Sequence, residues 1–110
     1  MRLYIALPIN SRDEKTKEAR FRAAERRSEK LRAMLAQRAE FELSDIVTPF
    51  DVNPLSEPVS EETALGRCVA AVLRCDAIYL DKGWRGSKGC NLEYHAAITY
   101  GKRIIVQSAM

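Results

Sequence analysis

A chain of 110 residues is enough for one domain, and a 46% hydrophobic content can build a real core, which excludes an intrinsically disordered chain. Its formal net charge of +3 is only mildly basic and argues against a dedicated nucleic-acid binder. No apolar run approaches the length of a membrane span, and the first residues lead straight into a strand-like segment without a signal-peptide pattern, so the expected location is the cytoplasm.

In chain order, residues 2–7 read as a buried first strand, and Pro8-Ile9-Asn10-Ser11-Arg12 as the loop that leaves it. From Asp13 to about Ala39 the spacing of Phe21, Ala24, Leu31 and Leu35, with no Gly or Pro between them, predicts a long helix capped by Ser11 or Asp13. Its basic residues alternate with Glu14, Glu18, Glu25 and Glu29, which reads as a solvated face rather than a nucleic-acid patch. That face could also meet a second subunit.

Residues 41–47 predict a short second strand. The stretch from Thr48 to Ser60 then holds three of the four prolines and reads either as a lid, with Phe50, Asp51 or Asn53 reaching a ligand, or as a rigid connection. Ser60 caps the next helix, with Glu61 and Glu62 in its first turn and Leu65, Val69, Val72 and Leu73 along its apolar side. Cys68, Cys75 and Cys90 are odd in number and lack CxxC spacing. They read as reduced thiols, and with a single histidine in the chain no metal site is expected.

The stretch from Asp76 to Gly101 organises the rest. Residues 77–80 form a strand, Gly83, Gly86 and Gly89 break the chain, and Gly101 ends the following helix as its C′ residue. A helix over residues 90–100 puts Asn91, His95 and Thr99 on a polar arc and Glu93 on the opposite, apolar side between Ala97 and Tyr100. A carboxylate aimed at the protein body needs partners or takes up a proton, so Glu93 either pairs with a buried cation or hydroxyl, sits at the rim of a rotated helix, or serves a function. Ser87, Lys88 and the amides near Gly89 and Cys90 could form an anion site at the helix N-terminus. Residues 102–107 supply a last strand.

Alternating strands and helices imply right-handed crossovers and an α/β fold, a three-layer flavodoxin-like or Rossmann-like parallel sheet of about four strands in the order 2-1-3-4. The ligand crevice of such a sheet lies beyond the carboxyl ends of the strands where the order reverses, here between the first and third strands. Tyr4, Asp81, Trp84, Ser87 and Glu93 are expected to line or border it. Trp84 reads as a stacking platform for a base, a lid on the core, or a subunit contact. Lys82, Arg85 and Lys88 either steer an anion or simply solvate the loop.

Tyr4-Ile5-Ala6, Cys75-Asp76-Ala77-Ile78-Tyr79-Leu80, Gly83-Trp84, Ser87-x-Gly89 and Leu92-Glu93-Tyr94-x-Ala96 resemble, in order and spacing, the nucleoside 2-deoxyribosyltransferase-like superfamily, and within it a small branch classed as a domain of unknown function. The similarity covers nearly the whole chain as a single domain over residues 1–110 and is weakest from Asp13 to Pro58. It implies an N-glycosidic enzyme in which Glu93 attacks C1′ of a deoxynucleoside or its 5′-monophosphate, with Tyr4 orienting the carboxylate and Ser87 contacting a phosphate. Asp81, Trp84, Gly89, Pro8 and Asn10 are the further candidate substrate-binding residues, with Asp81 either holding a ribosyl hydroxyl or acting as an alternative acid. The implied ligand is a small nucleoside or nucleotide, without cofactor, metal, nucleic acid or membrane, and the implied assembly is a homo-oligomer, a dimer or higher.

Three departures bear on this resemblance. Relatives usually carry glycine where Leu7 stands, and the nucleotide hydrolases carry serine and arginine where this chain has Pro8 and Asn10. Active relatives also carry an aspartate, able to protonate the leaving base, where this chain has Cys68. The alternative expectation is therefore a catalytically decayed, oligomeric nucleotide-binding module.

Overall fold

A computed structural model of the protein describes residues 1–9 and 16–107. Four parallel strands, β1 (Arg2–Ala6), β2 (Asp45–Val47), β3 (Ala77–Leu80) and β4 (Arg103–Val106), lie in the order β2-β1-β3-β4, as the alternation of elements implies. Leu3 pairs in register with Ile46 and Ala77, and Tyr4 with Val47 and Ile78. Both central strands are buried on both faces, which is why β1 and β3 read as continuous apolar runs rather than alternating ones.

Helices cover both faces of this sheet: α1 (Lys17–Ala36), a short α2 (Pro49–Val52), α3 (Glu61–Arg74) and α4 (Lys88–Thr99). Helix α1 covers one face, where Ala24, Leu31 and Leu35, joined by Phe50 of α2, pack with Leu3, Ile5, Ile46 and Tyr79. The other face is covered by α3 and α4, through Cys68, Ala71, Val72, Cys90 and Ala97 against Tyr4, Ala6, Ile78 and Leu80. Truncating a fully buried leucine such as Leu31 or Leu35 in this arrangement costs about 2–5 kcal/mol.

Several boundaries differ from the sequence reading. Thr16 caps α1, its side chain accepting from the Ala19 amide at 3.1 Å; the expected caps Ser11 and Asp13 lie outside the described residues. The second strand starts at Asp45 rather than Phe41, because residues Ala39–Phe41 turn as a 3-10 helix and Glu42 follows in the left-handed region at φ 46°. Within the proline-rich stretch, Thr48 and Asp51 form a reciprocal capping box around Pro49 and start α2. Phe50 is thereby buried in the α1-side core and Asp51 is bound by Arg32 at 2.8 Å, so neither is a ligand-reaching lid residue.

Ser60 caps α3 as expected, accepting from the Thr63 amide at 3.2 Å. Helix α4 begins two residues earlier than expected, at Lys88, with Ser87 as its cap. On α4 the apolar arc is narrower than its composition suggests: Leu92, Ile98 and Tyr100 are exposed, whereas Glu93 is buried. Gly101 follows the helix at φ 68°, a conformation glycine adopts without a steric penalty.

Candidate functional site

The strand order reverses between β1 and β3, and the loops leaving these strands touch there. Gly83 sits at φ 85°, and a Cβ built on it would lie 3.5 Å from Pro8 Cγ, so the Pro8 ring packs against the loop that follows β3. After Gly83 the chain makes a 3-10 turn at Trp84–Gly86 and enters α4 at Ser87. This path turns the first helical turns of α4 toward β1.

Glu93, 5% exposed, meets Tyr4 there, and the Tyr4 hydroxyl donates a short hydrogen bond to Glu93 Oε2. Tyr4 comes from the centre of the sheet and is itself fully buried. Burial raises the Glu93 carboxyl, hydrogen bonds from Tyr4 and Cys68 partly offset this, and the balance stands at about 7. Burial and the neighbouring Glu93 charge together hold the Tyr4 hydroxyl well above its ordinary value, so it stays a donor. A carboxyl in that balance is ionised in a substantial fraction of molecules near neutral pH.

Cys68 completes the cluster from α3. Its thiol is raised to about 11 by burial first and by Glu93 second, so it remains neutral. Asn53, just beyond α2, donates through Nδ2 to the Ala64 carbonyl at 3.0 Å and to Cys68 Sγ at 3.4 Å. Its Oδ1 is buried with no partner among the described residues. Of the lid candidates, only Asn53 reaches this neighbourhood, and it does so by binding the helix and thiol behind Glu93.

Asp81 is placed differently. It is buried at the end of β3 but receives two hydrogen bonds from Arg27 of α1, at 3.0 and 3.1 Å. The carboxylate thus belongs to an ion pair with the α1-side helix, which disfavours both the ribosyl contact and the alternative-acid role. Periodicity alone does not mark Arg27 as the partner of Asp81. Its signal was its position between Ala24 and Leu31, at the margin of the helix's apolar stripe.

Trp84 packs against Tyr94 with ring centroids 4.7 Å apart, and the Arg85 guanidinium lies 5.5 Å from the indole centroid. Ser87 is buried, and its Oγ accepts from the Cys90 amide at 3.2 Å, so its acceptor capacity is partly used by the helix cap. Gly89 lies on the first turn of α4, where an added Cβ would meet Leu65 at an ordinary 3.6 Å. Asn10 lies outside the described residues. A shallow groove of about 190 Å³ runs along the α1 side of the switch point, lined by Pro8, Ile9, Arg20 and Arg27 among others, and Glu93 is not part of its lining.

Among the described residues no cluster of His, Cys, Asp and Glu could hold a metal ion, and no helix is long and apolar enough to cross a membrane.

Fold and site together define a Rossmann-like α/β domain with a buried carboxyl–phenol pair at its topological switch point. Residues 1–106 match the family described as "Domain of unknown function (DUF4406)", and the chain belongs to that family. Comparison with curated proteins gives no match.

Proposed function

We propose that the protein cleaves or transfers the N-glycosidic bond of a deoxynucleoside or its 5′-monophosphate, with Glu93 as nucleophile. The observation that carries this reading is a buried carboxyl at the switch point, raised to about 7 and held by a tyrosine hydroxyl from the central strand. A Glu93 oxygen forms a bond to C1′ as the C1′–N bond breaks. The electron pair leaves on the base nitrogen, which takes a proton from solvent. Water then hydrolyses the glycosyl ester, or a second base attacks C1′ and releases the carboxylate.

Tyr4 supports the step by keeping one carboxylate oxygen occupied, which favours the ionised form and aims the other oxygen. The pattern of residues shared with the nucleoside 2-deoxyribosyltransferase-like superfamily supplies the substrate class. Base release from a panel of deoxynucleosides and deoxynucleotides, followed by chromatography, tests the reading. Turnover that disappears in Glu93→Ala is expected; no turnover in the wild type, or turnover unchanged in the variant, overturns it.

A second reading is favoured by one specific observation. The position expected to hold an acid carries Cys68, a thiol raised to about 11 that protonates a leaving base poorly, and Glu93 is 5% exposed, so a sugar reaches it only by parting the side chains around it. On that reading the domain binds a nucleotide without turning it over. Thermal stabilisation by nucleotides without base release supports it, and base release gained on Cys68→Asp marks a decayed enzyme.

A further inference from the structure

Asn53 is held through both its backbone and its side chain. Its amide N–H donates to the Pro49 carbonyl at 3.0 Å and closes α2, which the Thr48–Asp51 capping box anchors directly after β2. The side-chain Nδ2 directs its two protons onto one turn of α3, to the Ala64 carbonyl at 3.0 Å and to Cys68 Sγ at 3.4 Å. Chemistry fixes this orientation, because a flipped amide would set Oδ1 against the Ala64 oxygen, two acceptors with no proton between them. Oδ1 faces the other way and is buried without a partner among the described residues, a cost that the two donated bonds must offset.

The Ala64 carbonyl lies four residues before Cys68 on α3, where a thiol, like a serine or threonine hydroxyl, otherwise donates back to the helix. Of the two lone pairs on that oxygen, the helix ladder takes one through the Cys68 amide and Asn53 takes the other. Asn53 also fills an acceptor position on the sulfur itself. Tyr4 already gives its own proton to Glu93, and an ionised carboxylate is a stronger acceptor than a phenol oxygen. The acceptor left for the Cys68 proton is Glu93.

We propose that Asn53 is a positioning residue for Glu93: by filling the Ala64 carbonyl and the acceptor side of the Cys68 sulfur, it turns the thiol proton onto the carboxylate as a second donor beside Tyr4. Among the described residues the titratable groups that face Glu93 are Tyr4 from β1, Cys68 from α3 and Cys90 from α4. All three are raised and stay protonated near neutral pH, and Tyr4 and Cys68 are the two that stabilise the charged carboxylate. Tyr4 is fixed in the central strand, whereas the thiol proton rotates about one bond and needs Asn53 to hold it. The inference rests on the reading of Glu93 as nucleophile, since a second donor keeps more of the carboxyl in the ionised form that attacks.

Two spectroscopic titrations without substrate test the role. In Asn53→Leu, which keeps the size and removes both donors, carbon-detected NMR of the Glu93 carboxyl is expected to titrate above the wild-type midpoint of about 7, by on the order of half a pH unit. Cys68→Ala is expected to raise it as well, and adding Asn53→Leu to Cys68→Ala to change nothing further, because Asn53 acts through the thiol. The Raman S–H stretch of Cys68, isolated by subtracting the Cys68→Ala spectrum, is expected to fall in frequency in the wild type as Glu93 ionises through about pH 7, and to lose that response in Asn53→Leu. An unmoved midpoint in Asn53→Leu, an equal shift with Cys68 absent, or a wild-type band that ignores pH overturns the proposal. The wild-type band keeps the test decisive where a variant fails to fold. Absence of base release overturns the nucleophile reading and leaves these titrations untouched, so the two failures are distinguishable.

Discussion

The Tyr4 hydroxyl and the Glu93 carboxylate, 89 positions apart in the chain, share a hydrogen bond buried between the central strand and the last helix. The pair sets the electrostatics of the site, because burial disfavours the charge on both groups while the bond favours it on Glu93.

Removing that bond moves the carboxyl further from its ordinary value. In Tyr4→Phe, Glu93 keeps its burial and loses the stronger of its two stabilising donors, so its titration shifts upward from about 7. Carbon-detected NMR of the Glu93 side-chain carboxyl should show this rise, and the acid limb of any base-release profile should move in the same direction. An unchanged or lower midpoint would contradict the assignment.

Stability should carry the same signature with a definite sign. Glu93 titrates at about 7 in the folded chain against 4.5 as a free group, so between those values the folded state binds the proton more tightly. Its contribution is therefore full below pH 4.5 and is lost as pH rises through 7, a change on the order of 3 kcal/mol. Glu93→Gln stays neutral and lacks this loss. Urea midpoints of both proteins at pH 5 and pH 8 should diverge in favour of the variant at the higher pH, and parallel behaviour would refute the buried-acid assignment.

The Arg27–Asp81 pair joins a half-exposed guanidinium to a buried carboxylate. Arg27→Ala leaves Asp81 without its charge partner and should cost about 1–3 kcal/mol, whereas Asp81→Asn, which removes the buried charge itself, should cost less. Chemical denaturation of the two variants and their combination gives the coupling directly. Equal and additive losses would mean that the two side chains are not coupled.

All three thiols are buried, and burial raises each of them, Cys68 to about 11 and Cys90 to about 12. A disulfide reagent at pH 8 should therefore label the native protein slowly and all three cysteines at once after unfolding. Rapid labelling of Cys68 in the native state would show that the pocket around Glu93 opens readily.

The sequence by itself determined the sheet. Its apolar runs at residues 2–7 and 77–80 are buried on both faces, and with helices between successive strands the right-handed crossover rule leaves few parallel orders, of which 2-1-3-4 is the one found. Helical spacing also places Glu93 opposite the polar arc of α4, and packing then buries it while leaving Leu92 and Ile98 of the same helix exposed. Tertiary structure alone decided which groups answer which charges. Asp81 follows the last residue of β3 and Glu93 lies midway along α4, both beside the switch point, yet Asp81 meets Arg27 of α1 while Glu93 meets Tyr4 and Cys68 across the sheet from it. Local spacing leaves Phe50 and Asp51 open between a lid and a rigid connection, and the capping box at Thr48 makes them core and ion pair. Such pairings join residues distant in the chain, and their geometry exists only once both faces of the sheet are packed.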